Sequence, residues 1–135
     1  MNIMLSNSSQ TIEKEQTIRD YFNSWIKKDF SNLDSWFSQD VYYRECYGAT
    51  YEGLDELKAY INSKSKEQTV LKWDIYNIEQ TDTGKFVVTW YFDAVEKEEY
   101  CFDGVSLIEF TRNKIKKVVE YSTKHETFRP FKDKL

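Results

Sequence analysis

An acidic side chain placed among aromatic ones is the strongest sign of chemistry in this sequence. A β-strand over residues 41–47 would put Tyr43, Glu45 and Tyr47 on the same face, because successive side chains of a strand face opposite sides. An ionised carboxylate is costly to bury unless it is paired, and burial commonly turns such a group into a proton donor or acceptor near neutral pH. Glu45 is therefore a candidate general acid or base. The alternative is a surface role, in which Glu45 reaches water or pairs with a lysine or arginine.

Three further polar side chains are of interest. Tyr21 lies on the apolar face of a predicted helix, where its hydroxyl can bond a backbone carbonyl in the core. Asp93 shares one strand face with Tyr91 and could contribute a second carboxyl group. Glu120 lies on the last predicted strand, where it either lines a pocket or forms an ion pair with a neighbouring lysine.

Composition argues against several classes of partner. The chain has 135 residues, a mass of 16.3 kDa and a net charge of −4, and its basic residues are scattered, so we expect no nucleic acid partner. We also expect no membrane contact and a cytoplasmic location, because the sequence shows neither a long apolar run nor a secretion signal. Cys46 and Cys101 are isolated, and His125 is the only histidine. Without paired metal-ligand spacing, we expect neither a metal nor a cofactor.

Hydrophobic periodicity predicts helices first and strands afterwards. Apolar residues at three- and four-residue spacing predict a helix over residues 13–28, and shorter helical patterns follow at 31–37 and 54–61. After the strand at 41–47, β-rich runs occupy residues 70–78, 86–95, 99–111 and 115–124, with separators of hairpin length. This order predicts one α+β domain over residues 11–125, with a flexible tail at 1–10 and a C-terminal extension at 126–135.

A long, curved sheet leaves a pocket beneath its covering helices, and we expect the ligand site there. The strand over residues 86–95 is apolar on both faces. We expect Thr89, Tyr91 and Asp93 to line the pocket. The alternate residues Val88, Trp90 and Phe92 would then face away from it. Such an apolar outer face predicts a homodimer through the sheet, unless the C-terminal segment 128–131 covers it.

The element order and one segment resemble the nuclear transport factor 2-like superfamily. The segment runs from Phe37-Ser38-Gln39-Asp40-Val41 through Gly48 to Gly53-Leu54-Asp55-Glu56-Leu57, and is similar to the superfamily trace F-x-x-D-V, strand, G-x-x-x-[IL]. The superfamily includes SnoaL-like polyketide cyclases, ketosteroid isomerases, scytalone dehydratases and non-catalytic binding modules. The resemblance covers about residues 11–125. It implies a cone-shaped α+β fold, in which a curved, mixed but mainly antiparallel sheet wraps around N-terminal helices and leaves an interior pocket.

Ketosteroid isomerases can be compared without a gap from the first helix to the first strand. Tyr21 then falls where those enzymes have their oxyanion-hole tyrosine, and Glu45 falls where they have their general base. Ser106 falls at the position of their protonated aspartate, where it would donate a weaker hydrogen bond. The resemblance thus implies a carboxylate base and a tyrosine donor acting on a carbonyl compound.

We therefore predict a SnoaL-like, small-molecule-binding protein acting as an isomerase, cyclase or dehydratase on a hydrophobic carbonyl compound. Its expected catalytic residues are Glu45, Tyr21 and Asp93. Its expected ligand-binding residues are Trp25, Tyr43, Tyr47, Tyr91, Phe102, Ser106 and Glu120. The alternative is a non-catalytic module of the same fold that holds an apolar ligand or serves as a dimerisation platform. The serine at position 106 favours this alternative.

Overall fold

Helices and strands follow one another in the predicted order in the computed structural model, which describes residues 2–135 and side chains from residue 9 onward. The helices are α1 (Asn2–Lys27), α2 (Leu33–Trp36) and α3 (Leu54–Glu67). The strands are β1 (Phe37–Arg44), β2 (Thr50–Glu52), β3 (Thr69–Gln80), β4 (Phe86–Val95), β5 (Glu99–Thr111) and β6 (Lys114–Thr123). The short strand β2 was not predicted.

All six strands form one sheet in the order β2-β1-β6-β5-β4-β3. The meander from β3 to β6 is antiparallel, β2 pairs antiparallel with β1, and β1 pairs parallel with β6. The parallel pair requires the long crossover that the rest of the chain supplies. The α+β class with a mixed, mainly antiparallel sheet, predicted from the sequence, is confirmed.

Helix α1 begins earlier than the periodicity predicts. It extends back to Asn2, into the segment 1–10 that was expected to be a flexible tail. Residues 2–10 contain neither glycine nor proline, so nothing in this segment breaks a helix. Met1 lies outside the described residues, and the proposed domain boundaries remain a prediction. Within the described residues, no helix combines the length and apolarity needed to cross a membrane.

The core lies between the helices and one face of the sheet. Helix α1 contributes Ile18, Tyr21, Phe22 and Trp25, whose three- and four-residue spacing puts them on one side of the helix. Helix α3 contributes a second apolar stripe made of Leu54, Leu57 and Ile61. We call the sheet face that these helices cover the inner face.

The facing of β4 is opposite to the prediction. Trp90 and Phe92 lie on the inner face, where both rings contact Trp73 of β3, with centroids 5.6 Å away in each case. Trp73 in turn stacks on Phe22 of α1 at 3.8 Å. The inner set is wholly apolar: Phe86, Val88, Trp90, Phe92 and Ala94. The outer set includes Thr89, Tyr91 and Asp93, so burying the more apolar face decides the orientation.

Candidate functional site

A cavity of about 110 Å³ lies between the inner face and helices α1 and α3. Its wall is mainly aromatic and includes two carboxylates. The lining residues are Tyr21, Trp25, Tyr43, Glu45, Cys46, Tyr47, Tyr60, Lys64, Gln68, Trp73, Trp90, Phe92, Phe102 and Glu120. This cavity lies where we expected a pocket, between the first helix and the sheet.

Glu45 lies one residue beyond the end of β1, in the turn to β2, and not within a strand as predicted. The backbone N–H of Glu45 donates to the carbonyl of Ala49, and the N–H of Gly48 donates to the carbonyl of Glu45, both at 2.9 Å. Gly48 has a φ of +93°, which residues with a Cβ rarely adopt. This glycine turn holds the Glu45 side chain at the cavity wall.

Two tyrosine hydroxyls hold the carboxylate of Glu45. Tyr51 of β2 donates to Oε2 at 2.7 Å, and Tyr60 of α3 donates to Oε1. The two tyrosine rings stack with centroids 4.3 Å apart. Burial, and then the contact with Glu45, raises the pKa of both hydroxyls, so they stay protonated and keep donating. Both oxygens of Glu45 are thus engaged.

Glu120 is the buried carboxyl group of the cavity, with 9% of its surface exposed. Its Oε2 accepts hydrogen bonds from Tyr43 Oη at 2.9 Å and from Ser106 Oγ at 3.1 Å. Among the described side chains, none donates to Oε1, which leaves this oxygen for a ligand in the cavity. Burial raises the pKa of Glu120 from 4.5 to about 7, although the bonds from Tyr43 and Ser106 lower it. Both protonation states are therefore populated at neutral pH.

A chain of donors ends at Glu120. Tyr21 Oη donates to Tyr43 Oη at 3.0 Å, and the indole N–H of Trp90 donates to Ser106 Oγ at 2.9 Å. Burial raises the pKa of the hydroxyls of Tyr21 and Tyr43, and the negative charge of Glu120 adds to this rise. Both hydroxyls therefore remain donors, and the network fixes the position of the Glu120 carboxyl group.

The two cavity carboxylates influence each other. The negative charge of Glu45 is one of the causes that raise the pKa of Glu120. The basic side chain on the cavity wall is Lys64, and its Nζ lies 2.9 Å from Oε1 of Glu96. Because Glu96 already pairs with this ammonium group, the charge that remains in the cavity is negative.

The predicted site residues fall into three groups. Glu45, Tyr21, Trp25, Tyr43, Tyr47, Phe102 and Glu120 all line the cavity. Ser106 lies behind the wall, fully buried, where it bonds Glu120 instead of facing a ligand. Tyr91 and Asp93 do not line the cavity, because they belong to the outer face of β4. Their assignment to the pocket was wrong because the prediction had reversed the two faces of β4.

Several wall residues were not predicted. Trp73, Trp90, Phe92 and Tyr60 line the cavity, and the sequence analysis placed two of them on the outer face. A signal for Trp90 does exist in the sequence. Its neighbour across the strands is Gly104, and a Cβ there would lie 2.2 Å from Cη2 of the Trp90 ring. A large ring opposite a glycine indicates close packing on that face.

The cavity wall also holds unpaired donors. The indole N–H groups of Trp25 and Trp73 are buried and have no hydrogen-bond partner among the described residues. The Trp25 indole nevertheless lies close enough to the Tyr21 hydroxyl to lower its pKa. For metals, the described residues contain no group of three His, Cys, Asp or Glu side chains that could hold an ion.

The fold and this aromatic cavity define a nuclear transport factor 2-like protein. The profile of the SnoaL-like domain matches residues 18–120, and the chain belongs to that family. No curated protein sequence matches it. The predicted superfamily is confirmed, and the chain is a ligand-binding or enzymatic domain of this fold.

Solved structures with the same fold share little sequence with this chain. An LEH-like epoxide hydrolase from M. tuberculosis has a TM-score of 0.73 and 12% identity, with 83% of this chain and 79% of that chain covered. A protein with a ketosteroid isomerase-like fold from Catenulispora acidiphila, in complex with trimethylamine, has a TM-score of 0.67 and 13% identity, with coverage of 81% and 85%. An NTF2-like protein from Exiguobacterium has a TM-score of 0.69 and 18% identity, with coverage of 79% and 98%.

Proposed function

We propose that this protein binds a small carbonyl compound in its cavity and moves a proton on it, as an isomerase, cyclase or dehydratase does. The observation that supports this most is Glu120, a buried carboxyl group on the cavity wall whose pKa lies near neutrality and whose Oε1 accepts no hydrogen bond among the described residues. General acid–base catalysis works best when the pKa of the catalytic group lies near the working pH. Glu120 meets this condition.

The role proposed for Glu120 differs from the prediction made for it. The sequence analysis expected Glu45 as the base, with Glu120 only binding the ligand. Both oxygens of Glu45 accept hydrogen bonds from tyrosines, whereas Glu120 keeps one oxygen free. We therefore propose Glu120 as the proton carrier and Glu45 as a second carboxylate facing the ligand. Tyr21 acts through Tyr43 as a positioning residue.

The ligand proposed here is small. A cavity of about 110 Å³ is comparable to the engineered cavity of about 150 Å³ that binds benzene, and it falls below the usual range for drug-sized ligands. The trimethylamine held by the Catenulispora protein supports a ligand of this size for the fold.

Hydrogen–deuterium exchange on small ketones tests the proposal without a known substrate. Cyclohexanone and acetone are incubated with the protein in deuterated buffer, and loss of the proton signal next to the carbonyl is followed by NMR. We expect the wild-type protein to accelerate exchange and Glu120→Gln to lose ~10²–10⁴-fold of that acceleration. Glu67→Gln, at an exposed carboxylate at the end of α3, is the matched control. Equal exchange with Glu120→Gln and with the wild type would contradict the assignment.

A purely binding function is the second candidate. Ser106 stands where ketosteroid isomerases have an acidic donor. In this structure its hydroxyl donates a hydrogen bond to Glu120 and does not face the cavity. A protein that is stabilised by a ligand yet exchanges no protons would support this candidate. A ligand at 100 times its Kd should add about 2.7 kcal/mol of stability, which a thermal-shift assay resolves.

We also retain the homodimer as a proposal, with different residues at its interface. The outer face carries the exposed side chains of Tyr76, Leu107 and Tyr121, and not those of Val88 and Trp90. Burial of each large side chain is worth about 1.5–3 kcal/mol, which favours a second copy covering this face. Light scattering tests it. A monomer mass at micromolar concentration would contradict the dimer.

A further inference from the structure

We infer that the ligand of this cavity carries an alkylammonium group, held by aromatic faces and by the carboxylates of Glu45 and Glu120. The inference rests on the proposed function only in placing the ligand in this cavity. It adds a positively charged group to the small carbonyl compound proposed above, where the sequence predicted an uncharged, hydrophobic ligand.

Aromatic rings make up most of the cavity wall, and such rings attract cations. Nine of the fourteen lining residues are aromatic. Trp73 is close to perpendicular both to Trp90, at 87°, and to Phe92, at 89°. Trp90 and Phe92 are inclined to each other by 67°. These rings pack edge to face on one another within the wall. The negative face of an aromatic ring attracts a cation within about 6 Å of its centre, so a wall composed mainly of such rings suits a cation.

The charges of the wall favour a cation over an anion. Glu45 and Glu120 both line the cavity, the lining contains no arginine or histidine, and Lys64 is paired with Glu96. An anion would meet two like charges. A cation compensates both, and the methyl groups of an alkylammonium ion fill the apolar space between the rings.

The free oxygen of Glu120 adds a pH dependence to this recognition. A cation stabilises the ionised form of Glu120, so binding should strengthen as the pH rises through the pKa of about 7. The other titratable or charged groups facing Glu120 and the cavity come from α1, β1 and its following turn, and α3. They are Tyr21, Tyr43, Glu45, Cys46, Tyr47, Tyr60 and Lys64. For Tyr21, Tyr43, Cys46, Tyr47 and Tyr60 the pKa is raised, so they remain neutral across this range.

Choline and its uncharged carbon isostere separate charge recognition from shape. In the isostere, dimethylbutanol, a tert-butyl group replaces the trimethylammonium group without changing its shape. Isothermal titration calorimetry near pH 8 should show choline binding at least about tenfold more tightly than dimethylbutanol, as expected for a desolvated cation among aromatic rings. Equal affinities, or no binding of choline, would overturn the inference.

Variants then identify which groups carry the recognition. Glu45→Gln and Glu120→Gln should each weaken choline binding by about tenfold and leave dimethylbutanol binding unchanged. Phe102→Leu keeps an apolar wall and removes one ring, so it should weaken choline binding selectively. The control Glu67→Gln should bind choline as the wild type does. The inference would be overturned if Glu67→Gln selectively lost choline binding, or if none of the cavity variants did. If Glu120→Gln does not fold, Glu45→Gln still provides the test.

Failure here is distinguishable from failure of the proposed function. Choline has no carbonyl group, so its binding reports recognition of the cation and not proton transfer. Ketone exchange without choline binding would support Glu120 as the proton carrier and would contradict the alkylammonium ligand. Choline binding without ketone exchange would sustain the ligand class alone.

Discussion

Replacing Glu120 by glutamine should change the way in which the stability of this protein depends on pH. The pKa of Glu120 is raised from 4.5 to about 7 in the folded state, chiefly because the group is buried. The folded state therefore holds this proton more tightly than the unfolded state does. The stability that protonated Glu120 contributes is fully present below about pH 4.5, and it is lost as the pH rises through about 7. Glutamine keeps the side-chain oxygen but does not titrate.

The magnitude follows from the shift. Each pKa unit corresponds to about 1.4 kcal/mol, so a change from 4.5 to about 7 costs about 3 kcal/mol when Glu120 is fully ionised. Part of this cost is already present at pH 5. Between about pH 5 and about pH 8, the stability of Glu120→Gln relative to the wild type should therefore rise by about 2–3 kcal/mol.

Urea denaturation of both proteins at the two pH values measures this difference. Other ionisable groups titrate in both proteins, and their contributions cancel when the wild type is subtracted. The control Glu67→Gln, which removes an exposed carboxylate, should show a difference near zero at both pH values. A stability difference for Glu120→Gln that does not change with pH would refute the raised pKa and with it the proposed proton carrier.

Three further substitutions test the parts of the structure that support the site. Gly104→Ala places a Cβ 2.2 Å from the Trp90 ring, so it should destabilise the fold by at least about 1–3 kcal/mol in urea denaturation. Tyr43→Phe removes a hydrogen bond that lowers the pKa of Glu120, so that pKa should rise further in an NMR titration. Leu57→Ala leaves a cavity at a fully buried position and should cost about 2–5 kcal/mol of unfolding free energy.

Each of these predictions has an outcome that contradicts it. A stable Gly104→Ala protein with an unshifted Trp90 indole signal would show that the ring does not pack on Gly104. A lower or unchanged pKa of Glu120 in Tyr43→Phe would show that this hydroxyl does not donate to the carboxyl group. Wild-type stability of Leu57→Ala would contradict its place in the core.

The sequence predicted the face of β1 correctly but reversed that of β4, and the difference is physical. On β1, Val41 and Tyr43 alternate with polar residues, so only one face suits the core. On β4 both the odd-numbered and the even-numbered residues include apolar side chains. We expected a polar pocket and therefore placed Asp93 on the inner face. The even-numbered set, from Phe86 to Ala94, has no polar member. Weighing the two faces by apolarity alone would have given the observed orientation.

The partners of the two carboxylates could not be predicted, because they depend on pairings between distant parts of the chain. Tyr60 reaches Glu45 from α3, 15 residues further along the chain. Tyr43 reaches Glu120 across 77 residues, through the parallel pairing of β1 with β6. The local pattern around Glu120 fits a pocket residue and a surface ion pair equally well. Only the sheet order decides between them.

The most direct test of the proposed proton carrier is a carbon-detected NMR titration of the Glu120 carboxyl group, assigned by comparison with Glu120→Gln. We expect a titration midpoint near pH 7 in the free protein. Saturation with choline should move this midpoint to lower pH, because the cation stabilises the ionised carboxylate. A midpoint near about 4.3, the value of an unperturbed glutamate, would contradict the role of Glu120 as the proton carrier of this cavity.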